Sequence, residues 1–114
     1  MSNRIQRVDQ LIKKELGRIL LREMDFPKNI LVTVTRVETL ANLQKTKVYI
    51  STIPENQALR ILKILNKQIY FLQQELNRRL KMRPVPQIKF LEEKETVKAG
   101  RVEEILEEIK DEKS

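Results

Sequence analysis

The chain contains no cysteine, no histidine and no tryptophan among its 114 residues, and only two glycines, Gly17 and Gly100. Without Cys and His it lacks a thiolate nucleophile, the imidazole that most often serves as general base near neutral pH, and the soft ligands of zinc and iron–sulfur sites. A disulfide framework is excluded as well. Two glycines cannot build a Gly-rich phosphate loop of either nucleotide-binding type, nor the Gly-x-x-Gly loop that clamps single-stranded RNA. With two Tyr and three Phe, a surface that stacks successive bases is poorly supplied. No apolar run approaches the 18 residues of a membrane span. The opening Met1-Ser2-Asn3-Arg4 starts an amphipathic segment rather than a signal peptide, so the expected location is cytoplasmic. Asp9, Glu23 and Asp25 form no convergent carboxylate set. These absences argue against an enzyme and leave no cofactor, metal or small-molecule substrate to expect.

Leu, Ile, Val and Phe together number 38, a third of the chain, above the roughly 20% below which a charged sequence usually stays disordered. One packed, mainly aliphatic core in one domain follows. The net charge is +7, from 23 Lys and Arg against 16 Asp and Glu, and it is unevenly spread. Residues 92–114 hold nine acids and five bases, a net of −4, which leaves residues 1–91 at +11. A basic body (1–91) with an acidic end (92–114) points to a polyanion partner, most often nucleic acid.

From Arg4 to Met24, Ile5, Val8, Leu11, Ile12, Leu16, Ile19 and Leu20 recur every three or four residues and mark a helix. Asn3 is its expected cap, with Gln6 as a loose capping-box partner. Ile30–Glu38 and Lys45–Ile53 are dense in β-branched residues and are predicted to be strands. The six residues between them suit a hairpin and are too few for a crossover helix, so the pair should be antiparallel. In the second strand Val48, Ile50 and Thr52 share one face, and Lys47, Tyr49, Ser51 and Ile53 the other. Asn56 is placed to cap a helical stretch reaching about Met82, with Leu59, Leu62, Leu65, Ile69, Leu72, Leu76 and Leu80 as its stripe. Unbroken, it would be roughly 40 Å long against strands of about 20 Å, so a break is expected within Asn66–Tyr70. Gln87–Leu91, introduced by Pro84 and Pro86, is predicted as an edge strand. The order gives an α+β fold with helices on one face of a three-stranded sheet. Val97, Val102, Ile105, Leu106 and Ile109 outline a last, acidic helix.

Arg78, Arg79, Lys81 and Arg83 place four cations in six residues near a helix end. They complement the helix dipole, yet Arg7, Lys14 and Arg18 on the first helix, Lys45 and Lys47 on the hairpin, and Lys67 could join them in one phosphate-contacting surface. Asp9 is expected to be a solvated charge at a helix start. Tyr49 and Tyr70 could each stack on a base, but packing is the expected role of both.

The ordered blocks RIQRVDQLIKKELGRIL, LREMDFPKN, VTVTRVE, KTKVYIS and FLQQELNRRLKMRPVPQIKF resemble the ribosome-binding factor A family over about Arg4 to Phe90. The resemblance implies a type II KH-like domain (α-β-β-α-α-β) without the GXXG loop. It also implies a kink where the family carries Ala-x-Gly; this chain has Gln68-Ile69-Tyr70 there. The family's Asp-Pro-Arg reads Phe26-Pro27-Lys28, and its Ser-x-Asp reads Leu40-Ala41-Asn42. The implied function is non-catalytic binding of a monomer to free or immature small ribosomal subunits and their 16S rRNA, near the 5′-end helix and decoding-centre region, in support of late assembly and RNA processing. The alternatives are a basic DNA-binding or nucleoid protein and an adaptor acting through the acidic end.

Overall fold

The structure, a computed structural model, describes residues 2–94. Helix α1 (Ser2–Glu23) leads into β1 (Leu31–Thr39) and β2 (Lys45–Ile53); a single 3-10 turn (Glu55–Gln57) then opens α2 (Ala58–Lys67) and α3 (Ile69–Arg79), and β3 (Gln87–Glu92) follows. The sheet order is β1-β2-β3, with β1 and β2 antiparallel and β2 and β3 parallel. This is the expected α+β fold, with a mixed sheet. The predicted terminal helix lies outside the described residues. Glu92 ends β3, and Glu93 donates its backbone N–H to the Ile50 carbonyl at 2.7 Å. Among the described residues no helix is long and apolar enough to cross a membrane.

One apolar layer joins the elements. Ile12, Leu16 and Ile19 of α1, Val48 and Ile50 of β2, Ile61 and Leu65 of α2, and Leu72 and Leu76 of α3 are fully buried, with Ile88 and Phe90 of β3 closing the far side. Every partner except Phe90 is aliphatic. Helix α1 lies on β1, α2 on β2 and β3, and α3 on α1. The chain changes direction at Gln68, which sits between the helices at φ −104°, ψ 16°. Its N–H is shared between the Ile64 and Leu65 carbonyls, at 3.3 and 3.1 Å. The buried stripe begins with Ala58 and Ile61, not with Leu59, which is 69% exposed, or Leu62, which is half-buried. The stripe runs along the face that sequence spacing makes secondary, because α2 meets the sheet through Ile61 and Leu65.

Three local expectations are corrected. Helix α1 starts at Ser2, so Asn3 lies inside its first turn. Asn56 falls within the 3-10 turn, and no side chain caps either that turn or α2; the Thr52 hydroxyl, which donates to the Pro54 carbonyl at 2.8 Å, steadies the entry instead. Asp9 is no free surface charge: its Oδ1 accepts the Thr39 backbone N–H at 2.9 Å and ties α1 to the end of β1. A further tie comes from Gln73 of α3. Its Oε1 accepts the Ile88 N–H at 2.9 Å and its Nε2 donates to the Pro86 carbonyl at 3.1 Å, which holds the start of the edge strand against the helices.

Strand β1 carries a bulge. Val34 pairs with Ile50 and Arg36 with Tyr49, so Thr35 is the extra residue. Strict alternation from Val34 would bury Arg36 and expose Val37; the bulge reverses this, burying both valines and turning Arg36 outward. The stripe assignment gives a direct prediction. Leu72→Ala should lower stability by about 2–5 kcal/mol in urea denaturation, and Leu59→Ala by less than about 0.5 kcal/mol; equal losses would contradict the packing described.

Candidate nucleic-acid interface

The ten cations singled out by sequence separate into three environments. On α1, Arg7 and Lys14 are exposed and line, with Arg4, Gln10 and Met82, a cavity of about 480 Å³ between the helix and the segment after α3. Met82 is the residue that this segment contributes to the cavity; Lys81 and Arg83 flank it in the chain but do not line it. Arg18, further along α1, is exposed and pairs with Glu15 at 3.6 Å.

The second group lies where β2 and β3 begin. Lys45, Lys47 and Lys89 line a cavity of about 470 Å³ with Asn66 and Ile69, the residues on either side of the α2–α3 break. Lys67 follows Asn66 and is exposed. Sequence reading passed over Lys89 and Arg4. Alternation along β3 already put Lys89 on the face opposite Ile88 and Phe90, but its neighbour depends on the parallel register, which sequence spacing does not show.

The third group consists of arginines that the fold itself uses. Arg79, partly buried, reaches Glu15 of α1 at 3.4 Å and Glu75 at 3.8 Å, and its Nε is buried without a hydrogen-bond partner. Arg78 pairs with Glu75. The Arg83 guanidinium donates to the Leu80 and Met82 carbonyls, at 2.8 and 2.6 Å, closing off the chain after α3. Sequence reading treated Arg78, Arg79, Lys81 and Arg83 as one cluster. Among the described residues only Lys81 of the four has no such engagement, a status shared by Arg7, Lys14, Lys45, Lys47 and Lys67. Helix α3 ends at Arg79 rather than Met82, which removes Lys81 and Arg83 from the helix.

The middle of the open sheet face is occupied by a polar network. The Arg36 guanidinium lies 3.9 Å above the Tyr49 ring, donates from Nε to Glu93 Oε1 at 2.7 Å and from Nη1 to Glu38 Oε2 at 2.6 Å. Thr35 Oγ1 lies 2.9 Å from Glu93 Oε1 and 3.2 Å from the Tyr49 carbonyl oxygen, and its single proton serves one of them. The hydrogen bond to Glu93 holds Arg36 even more firmly protonated than usual. Burial first, and the Glu38 charge second, push the Tyr49 phenol above its ordinary range, against the opposing pull of Arg36. Capped in this way, the Tyr49 ring offers no free face to a base on the Arg36 side. Tyr70 is the reverse case: expected to pack, it is 75% exposed just beyond the break.

This geometry can be compared with known proteins. A model of the family described as ribosome-binding factor A matches residues 4–106. The chain belongs to the ribosome-binding factor A family. The crystal structure of ribosome-binding factor A from Thermus thermophilus shares the fold, with a TM-score of 0.67 and 24% identity over 77% of this chain and 94% of that one. A homology model of the T. thermophilus factor fitted into an electron cryomicroscopy map of a complex with the 30S subunit matches with a TM-score of 0.62 and 26% identity, covering 73% of this chain and 88% of that one. The solution structure of a Thermotoga maritima protein assigned as a ribosome-binding factor A gives 0.57 and 26%, over 82% and 86%. The break expected within Asn66–Tyr70 falls at Gln68.

The network on the open face is testable by spectrophotometric pH titration. Tyr49 should ionise above the usual tyrosine range, and Glu38→Gln should lower its midpoint by removing a negative charge beside the phenolate. A midpoint indifferent to Glu38 would contradict the geometry.

Proposed function

We propose that this chain binds free or immature small ribosomal subunits through their 16S rRNA and assists late assembly and RNA processing without bond chemistry. The observation that carries this reading is the division among the cations. Arginines beside carboxylates or carbonyls are spent on the fold, whereas Arg7, Lys14, Lys45, Lys47, Lys67 and Lys81 are held out without partners among the described residues. Such cations reach phosphates, which give affinity and position but little sequence information. Membership of a ribosome-binding family supports the choice of partner, as does the fit of the T. thermophilus relative into a map of its 30S complex.

In this reading the rigid unit grips phosphates from two sides of the α2–α3 break and holds an RNA conformer that the mature subunit lacks. By family resemblance, the contact lies near the 5′-end helix and decoding-centre region. The protein acts as a cytoplasmic monomer. The acidic end, by its like charge, takes no direct part in gripping phosphates.

The test is sedimentation of cell extract over a sucrose gradient. The protein should travel with free small subunits, and log K should fall with log salt at about 0.7–0.9 per phosphate contacted. Arg7→Glu, Lys14→Glu and Lys81→Glu together should weaken this binding at least about tenfold and flatten the salt dependence, while the melting temperature changes by less than about 3 °C. Arg79→Gln should instead destabilise the fold by about 1–3 kcal/mol, because it removes the partly buried bridge that joins Glu75 of α3 to Glu15 of α1. Cosedimentation with chromosomal DNA in place of small subunits would favour the nucleoid alternative and overturn the proposal.

A further inference from the structure

Lys47 and Lys89 occupy directly paired positions on neighbouring strands β2 and β3, and Lys45 precedes them two residues up β2. All three are exposed on the open face. Like charges set side by side on a sheet are unfavourable, so a sequence that places three there without a carboxylate between them gives up stability. Edge protection accounts for Lys89, since β3 is an edge strand, but not for Lys47, which sits on the central strand.

The nearest acid is already committed. Glu38 pairs with Lys47 across β1 and β2. Its Oε2 accepts from Arg36 at 2.6 Å and its Oε1 from the Tyr49 hydroxyl at 3.3 Å, and neither oxygen comes within ion-pair distance of Lys47. The polar network on the sheet therefore draws the one cross-strand carboxylate away from the lysines. No Asp or Glu lines the cavity of about 470 Å³ beside them, which Asn66 and Gln87 also line. Neither amide side chain makes a hydrogen bond among the described residues, so both are available as donors. Lys45, Lys47 and Lys89 line this acid-free recess together with Asn66 and Gln87, a donor-rich lining suited to a compact oxyanion with several acceptor oxygens.

We propose that Lys45, Lys47 and Lys89 form a discrete phosphate-binding site that seats one phosphodiester of the RNA beside the α2–α3 break. The inference rests on the RNA-binding reading above and adds to it a residue, Lys89, and a location separate from the α1 cavity. Lys47 and Lys89 act as the paired contacts, and Lys45 and the two amides fix the orientation of the group.

The experiment compares Lys47→Gln/Lys89→Gln with Arg7→Gln/Lys14→Gln in the full chain, by thermal melting, binding to free small subunits at several salt concentrations, and titration of each protein with inorganic phosphate followed through backbone amide resonances. Removing the like-charge pair should raise the melting temperature by about 1–4 °C. It should also weaken subunit binding about tenfold and reduce the salt slope by about one. In the unaltered protein, phosphate should shift the amides of Lys47 and Lys89 more than those of α1. Subunit binding unchanged by the double substitution would overturn the site as an RNA contact, and with a localised phosphate shift it would reassign the recess to a free anion. Weakened binding without that shift would also overturn it, since the loss would not come from anion capture. If the unaltered protein fails to bind small subunits at all, the RNA reading fails, and the phosphate titration alone decides whether the recess captures an anion.

Discussion

The structure depends on a single apolar layer that must be shared by three helices and three short strands. A straight helix from Ala58 to Arg79 could not lie along the sheet for its whole length and also reach α1. The break at Gln68 resolves this: α2 buries Ile61 and Leu65 on β2 and β3, and α3 then turns to bury Leu72 and Leu76 toward α1. Because the layer has one side, the opposite face of the sheet and the outer face of α1 are left to solvent, where polar groups are joined by exposed Leu11, Leu21, Leu31 and Ile53. The break also leaves a recess where the strands begin, bounded by Asn66 and Ile69. The same constraint that closes the core therefore creates the concave surface at which cations gather.

How charge is used follows from where the core ends. Where two elements meet, arginine bridges them: Arg79 joins α3 to Glu15 of α1, and Arg36 joins β1 to Glu93 beyond β3. Arg83 closes the exit from α3 on backbone carbonyls. The planar, many-donor guanidinium suits such fixed contacts, and the compact lysine ammonium on its flexible stem suits exposed contact with phosphate. Of the six candidate cations without partners among the described residues, all but Arg7 are lysines. In the proposed reading, a surface built this way meets the shape and backbone charge of folded RNA. The sequence holds no Gly-x-x-Gly to clamp a single strand, and one face of Tyr49 is covered by Arg36.

Much of the fold could be read from spacing. The three strands fall within a residue or so of their expected bounds, because β-branched runs and the flanking prolines mark them, and the break lies where helical propensity and sheet length conflict. Tertiary partners decided what spacing could not. Leu59 belonged to a good helical stripe but faces solvent, since the sheet lies on the other side of α2. Asp9 looked like a dipole complement until β1 supplied an N–H for it. The three-residue step from Val34 to Val37 was the trace of the bulge, unreadable as such without the partner strand. At the candidate site, residue type and exposure were legible; which arginines would meet carboxylates was not, because Glu15 and Arg79 are 64 residues apart.

The central claim is that the cationic surfaces of α1 and of the α2–α3 break face ribosomal RNA while the far end of the open sheet does not. The absence of cysteine allows a single cysteine to be introduced at Gln10, Asn66 or Ile53, the last about 26 Å along β2 from Lys45. Each can carry a tethered iron chelate for hydroxyl-radical cleavage of 16S rRNA in free small subunits. Strong, localised cleavage is expected from the probes at positions 10 and 66, and little from the probe at 53. Strong cleavage from position 53 with none from the other two would contradict the claim.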